Sequence, residues 1–102
     1  MFDGHLSQLE SYVAKIEADA MSEKEVVDGL IQSTRHYPLA QAKSLFIARV
    51  FTPWLERIKP MIEYLSILQD KFPSSSRVSS VRKRFLARQE NLNSLVRAVE
   101  RY

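Results

Sequence analysis

The chain has 102 residues, of which 45% are hydrophobic and 26% are charged, and its formal net charge is +3. This composition is typical of one globular domain covering residues 1–102, and it excludes a disordered chain. The absence of cysteine excludes disulfides, thiolate nucleophiles and cysteine-held metal sites.

The sequence contains no segment suited to a membrane. Arg49, Glu56 and Lys59 interrupt its richest apolar stretch, so no run approaches the roughly 18 residues of a spanning helix. Residues 1–5 lack the basic and apolar regions of a secretory signal. We therefore expect a soluble, cytoplasmic protein with no membrane partner.

The first two predicted elements are helices. The first follows from apolar residues spaced three and four apart, which are Leu6, Leu9, Val13, Ile16 and Ala20. Ser22 and Glu25 then have the spacing of a capping box, flanked by Met21 and Val26 as a hydrophobic staple. A second, short helix is therefore predicted to begin here and to end near Thr34, shortly before a proline.

The third predicted helix is long and contains two prolines. Its apolar residues keep one phase throughout: Ile47, Phe51, Trp54, Ile58, Met61, Leu65, Leu68 and Phe72. Pro53 and Pro60 lie seven residues apart, so both fall on the outer side of such a helix. The alternative is a break after Phe51, with Thr52 capping a new helix. The unbroken phase favours one proline-kinked helix.

The last predicted helix follows the Pro-Ser-Ser-Ser segment at residues 73–76, which is typical of a loop. Its heptad series is Val78, Val81, Phe85, Arg88, Leu92, Leu95, Val99 and Tyr102. Because this apolar seam continues to the final residue, a second copy or another protein could share it.

Together these elements predict an all-α fold. With only two glycines and four prolines, the chain has few residues for the tight turns of a β-rich protein. Helices with matching seams pack at shallow angles, so we expect a three- or four-helix up-and-down bundle. The helical spacing places Phe51, Trp54, Phe72 and Phe85 in its core rather than on a base-stacking surface.

Charge is segregated along the chain. Residues 1–34 contain two bases and seven acids, a charge of −5, which leaves +8 for the remainder. Residues 71–89 contain no acid, and their bases could contact the phosphates of a nucleic acid or an acidic protein. The acidic helices could instead neutralise them, within the fold or between subunits. The candidate contact residues are Arg77, Arg82, Lys83, Arg84 and Arg88.

Arg88 is the one polar residue in the last heptad series. Its side chain could extend to solvent along its methylenes, pair with an acid on a neighbouring helix, or lie on a surface that meets a partner. The sequence leaves these three alternatives open.

No motif in the sequence indicates catalysis. His5 and His36 are the only histidines, and neither has a metal-binding or catalytic spacing. We therefore expect no enzymatic activity, no metal, no cofactor and no small-molecule substrate.

The sequence thus predicts a non-enzymatic helical binding protein that acts in a larger assembly or as a homo-oligomer. In the first interpretation, its basic C-terminal helix contacts nucleic acid or an acidic partner. In the alternative, it is a purely protein-binding adaptor, chaperone or inhibitor that uses its coiled-coil-like seams.

Overall fold

The computed structural model describes the backbone of residues 2–102 and the side chains of residues 4–102. Four helices and no strand occur in this range: α1 is Phe2–Ala18, α2 is Glu23–Ser33, α3 covers residues 39–71, and α4 is Ser76–Arg101. The predicted all-α bundle with a long third helix is confirmed. No helix of the described residues is both long and apolar enough to cross a membrane.

The four helices form three rods, of which the second runs antiparallel to the first and the third. The second and third rods are α3 and α4, which run in opposite directions. Two hydrogen bonds show this: Arg82 donates to Ser66, and Lys43 donates to the carbonyl of Glu100. The molecule measures 51 × 21 × 18 Å. Its longest dimension matches the length of a helix such as α3, at about 1.5 Å per residue.

The first rod consists of α1 and α2 laid end to end. Glu10 pairs with Arg77 and Glu17 pairs with Arg84, so α1 runs parallel to α4. The second helix continues in the same direction. It contacts α4 and also the first turns of α3, at Leu39–Phe46. Gly29 makes the close approach to α3 feasible, because a Cβ there would lie 3.0 Å from the ring of Phe46.

The junction between α1 and α2 is fixed by the predicted capping box. The Oγ of Ser22 accepts from the N–H of Glu25 at 3.2 Å, and the Glu25 carboxylate accepts from the N–H of Ser22 at 3.4 Å. This reciprocal bonding satisfies two N–H groups that a helix start leaves without partners. The first helix ends earlier than its apolar pattern suggested, since it stops at Ala18 and Ala20 is exposed.

The third helix is continuous, as its apolar phase predicted, and a break after Phe51 is wrong. It consists of α-helical Leu39–Phe46, a π-helical turn at Ile47–Phe51, and α-helical Thr52–Lys71. In the π turn the backbone N–H of Thr52 donates to the carbonyl of Ile47, five residues earlier. This wider turn immediately precedes Pro53, whose ring would clash with a carbonyl in a regular α-helix. The chain thus accommodates the proline without ending the helix.

One core runs between the three rods. It contains residues from every helix and from the π turn, and Arg88 is the one charged side chain that it buries within the described part of the chain. Phe51, Trp54 and Phe85 pack in or against this core as predicted.

Phe72 was predicted for the core but is 45% exposed. The residue that precedes a proline is disfavoured in the α conformation. The helix therefore ends at Lys71, and Phe72 has a φ of −129° and a ψ of 65°. Tyr102, the last member of the α4 series, lies beyond the helix and is half exposed.

Candidate binding surfaces

The basic stretch of α4 is the first surface that the sequence singled out. Arg77, at its start, is held by α1: its Nε donates to Glu10 at 3.1 Å and its Nη2 donates to the Ser7 hydroxyl at 2.9 Å. The Arg77 hydrogen bond is the main reason that the pKa of Glu10 lies below its ordinary value. This guanidinium is therefore already occupied by a carboxylate.

Arg84 repeats this arrangement farther along α4. Its Nε donates to Oε2 of Glu17 at 3.1 Å and its Nη2 donates to Oε1, which makes a bidentate pair. The hydrogen bond lowers the pKa of Glu17 and raises the pKa of Arg84. The acidic first helix thus neutralises two of the five predicted contact residues.

The other three predicted contact residues lie on different sides of α4. Arg82 faces α3, where its Nε donates to the Ser66 hydroxyl at 3.1 Å. Lys83 is exposed and lines a shallow depression along α4. Arg88 points inward and is 9% exposed. The five residues therefore form no common patch, although they are close in sequence.

A second feature is the cavity that surrounds Arg88 at the α1–α2 junction. It has a volume of about 50 Å³, and its walls come from the end of α1, the linker, the π turn of α3 and the middle of α4. Its lining residues are Ile16, Asp19, Met21, Val50, Phe51, Trp54, Arg88, Leu92 and Leu95. Within the described chain, Asp19 and Arg88 are its only charged walls.

The Arg88 guanidinium is incompletely bonded in this position. Its Nη1 donates to Oδ1 of Asn91 on the same helix. Its Nε is buried and has no hydrogen-bond partner among the described residues. Burial lowers the pKa of Arg88, and the charge of Asp19 opposes this shift. Of the three alternatives for this residue, extension to solvent disagrees with its 9% exposure. Among the described residues no acid forms an ion pair with it, and contact with a partner stays a prediction.

A third feature is an open groove between α1 and α3. It has a volume of about 540 Å³ and is lined mainly by apolar surface. His5, Leu9 and Tyr12 form its α1 side, and Met61 and Tyr64 belong to its α3 side. The Nδ1 of His5 lies 3.3 Å from the Tyr64 hydroxyl, so these two residues link the two sides of the groove.

Tyr12 lines this groove and is half-buried. Its ring stacks on Phe85 with the ring centroids 6.2 Å apart. Its hydroxyl is buried and bonds no group in the described part of the chain. An unsatisfied buried hydroxyl is unusual and costs roughly 1–3 kcal/mol.

The sequence-based reasoning did not identify the groove. Tyr12 and Tyr64 fall one position away from the apolar series of their helices, and their contribution depends on which faces of α1 and α3 meet. The one available signal for the groove was that both residues place a large aromatic ring next to the apolar series of their helix.

The two histidines lie in different parts of the fold. His5 contacts Tyr64, and His36 lies in the exposed connection between α2 and α3. Within the described residues, no three potential ligands from His, Cys, Asp and Glu cluster together.

Comparison of the chain with protein-family models, with curated proteins and with solved structures finds no match. Its function is therefore argued from the geometry of these surfaces.

Proposed function

We propose that this protein is a non-enzymatic protein-binding module whose α1–α3 groove receives an amphipathic helix of a protein partner. The observation that supports this proposal is the groove itself, an open apolar trough with aromatic side chains between two antiparallel helices. Grooves of this kind are a common way to bind a helix by its apolar face.

The exposed face of α3 extends the apolar surface beyond the groove. Pro60, Tyr64 and Ile67 are four and three residues apart, which places them on one side of the helix. Ile67 is 57% exposed, the most exposed of the large hydrophobic side chains described. A partner helix with apolar residues at positions i, i+3 or i+4, and i+7 matches this spacing.

The α1 side of the groove favours acidic residues on the flank of that helix. Lys15 lies beside Tyr12 in the adjoining depression, and no carboxylate pairs with it in the described part of the chain. A partner carboxylate near Lys15 would add attraction at the rim, where its main effect is on orientation and association rate.

The arginine stretch of α4 offers less support for a binding role. Arg77 and Arg84 would have to leave Glu10 and Glu17 before they contacted phosphates. Arg88 is buried. Nucleic-acid contact through this stretch would thus begin by breaking contacts that the fold already makes, whereas the groove is open.

Selection of helical peptides from a displayed library tests the proposal. We expect the enriched peptides to carry apolar residues at helical spacing and to lose at least tenfold in affinity for Tyr64→Glu and for Ile67→Glu. Ile67 is exposed, so this substitution should leave the fold intact. Ser80→Glu, on the outer side of α4, is the matched control and should bind within twofold of the wild type. Peptides that bind all three variants equally would refute the groove as the site.

A further inference from the structure

The cavity at the α1–α2 junction has the chemistry of a small anion site, independently of the groove. Arg88 occupies a position in the α4 series where every other member up to Val99 is apolar and buried. A charged side chain at such a position is costly unless it is paired and hydrogen-bonded.

One edge of the Arg88 guanidinium has no hydrogen-bond partner among the described residues. Asn91 occupies Nη1, while Nε and Nη2 bond no group in the described part of the chain. Nε–H and one Nη2–H point the same way, so this edge can hold both oxygens of one carboxylate. Its Nε is buried with no access to bulk water.

The remaining walls favour an anion with a short apolar stem. Trp54, Leu92 and Leu95 line the same space as the two charged groups. A single water needs roughly 10–15 Å³ of such space. The volume of about 50 Å³ therefore admits a group of a few heavy atoms and excludes a nucleotide or a sugar phosphate.

We propose that this cavity binds a small aliphatic monocarboxylate, whose two oxygens accept hydrogen bonds from Nε and Nη2 of Arg88 and whose alkyl stem contacts Trp54. The π-helical turn supports this assignment. It places Val50 and Phe51 in the cavity wall, and turns of this type occur frequently at functional sites.

Asp19 acts against the bound anion from the rim of the cavity. Its side chain is exposed, so water screens its charge, whereas Arg88 is buried and in contact with the anion. Attraction by Arg88 therefore exceeds repulsion by Asp19. Removal of the Asp19 charge should tighten binding.

Titration with propionate tests the site, because Trp54 is the only tryptophan of the chain and reports on the cavity through its fluorescence and its indole N–H resonance. At constant ionic strength we expect a saturable change with propionate and none with propionamide, its neutral counterpart. Arg88→Met should weaken binding at least tenfold, and Asp19→Asn should strengthen it about two- to threefold.

Lys83→Gln is the control, because it removes an exposed basic side chain of the same helix and should bind propionate within twofold of the wild type. Circular dichroism confirms that each variant is folded before titration. An equal response to propionamide, undiminished binding by Arg88→Met, or no response at all, as expected for a cavity that holds water only, would overturn the proposal. None of these outcomes bears on the groove, so each of the two proposals can be refuted independently of the other.

Discussion

Replacement of Arg88 by methionine should stabilise the protein. The substitution removes a buried charge with an unpaired Nε and keeps an unbranched side chain of similar length. An unsatisfied buried donor costs about 1–3 kcal/mol, and apolar replacement of a whole buried ion pair is often neutral or stabilising by about 1–4 kcal/mol. The lost hydrogen bond to Asn91 offsets part of this gain. We expect the free energy of unfolding to rise by about 1–3 kcal/mol.

Urea unfolding followed by circular dichroism measures this change. With a slope of about 1–3 kcal/mol per molar urea for a small protein, the midpoint should rise by on the order of 1 M while the slope stays constant. Lys83→Met, at an exposed position of the same helix, should leave the midpoint nearly unchanged. A lower midpoint for Arg88→Met at unchanged slope would refute the reasoning, because Arg88 would then contribute net stability through Asn91 and the field of Asp19.

Further changes test the helix cap, the internal proline and the arginine pairs. Ser22→Ala removes the capping box and should lower the free energy of unfolding by about 1 kcal/mol in urea titration, whereas Ser22→Gly should cost only a few tenths. Pro60→Ala should raise the thermal midpoint. Proline is about 3 kcal/mol less favourable than alanine inside a helix, and the greater conformational freedom that alanine gives the unfolded chain offsets only about 1 kcal/mol of this gain. The double change Glu10→Gln and Glu17→Gln removes the carboxylates that pair with Arg77 and Arg84, so the variant should elute from heparin at higher salt than the wild type; identical elution would show that this face of α4 does not contribute. The pKa of each of these carboxyls is lowered by folding, so their stabilisation is complete above the ordinary value of 4.5 and is lost as the pH falls through the lower folded values. The double variant should therefore lose less stability than the wild type in acid unfolding below pH 4.5.

Much of the secondary structure could be predicted because helical period and helix caps are local properties. The capping box at Ser22 and the continuity of α3 through Pro53 both follow from nearby residues. The errors are also local: Ala20 lies past the end of α1, and Phe72 is turned out of its seam by the proline that follows it.

The contacts between helices were harder to predict than the helices themselves. Periodicity shows which face of a helix is apolar but not which helix covers it. The end-to-end arrangement of α1 and α2 therefore had no sequence signature. The groove likewise depends on how helices pack, because its walls bring together Tyr12 of α1 and Tyr64 of α3, which are far apart in the chain.

The basic stretch illustrates the same difficulty. A run of arginines is visible in the sequence, but Arg77 and Arg84 are one heptad apart and face α1, while Arg82 and Arg88 face elsewhere. The neutralisation of basic residues by the acidic first helix was one of the alternatives that the sequence left open. The structure provides it at two of the five positions.

The most direct test of the proposed function is photo-crosslinking in the native cell from a reactive amino acid placed at His5, in the groove, and at Ser80, on the outer face of α4. We predict that the groove position gives a crosslink whose partner peptide, identified by mass spectrometry, is an amphipathic helix with acidic flanks, and that Ile67→Glu abolishes it. The Ser80 position should give no such product. Crosslinks to nucleic acid, or protein crosslinks from Ser80 that Ile67→Glu leaves intact with none from His5, would contradict the account.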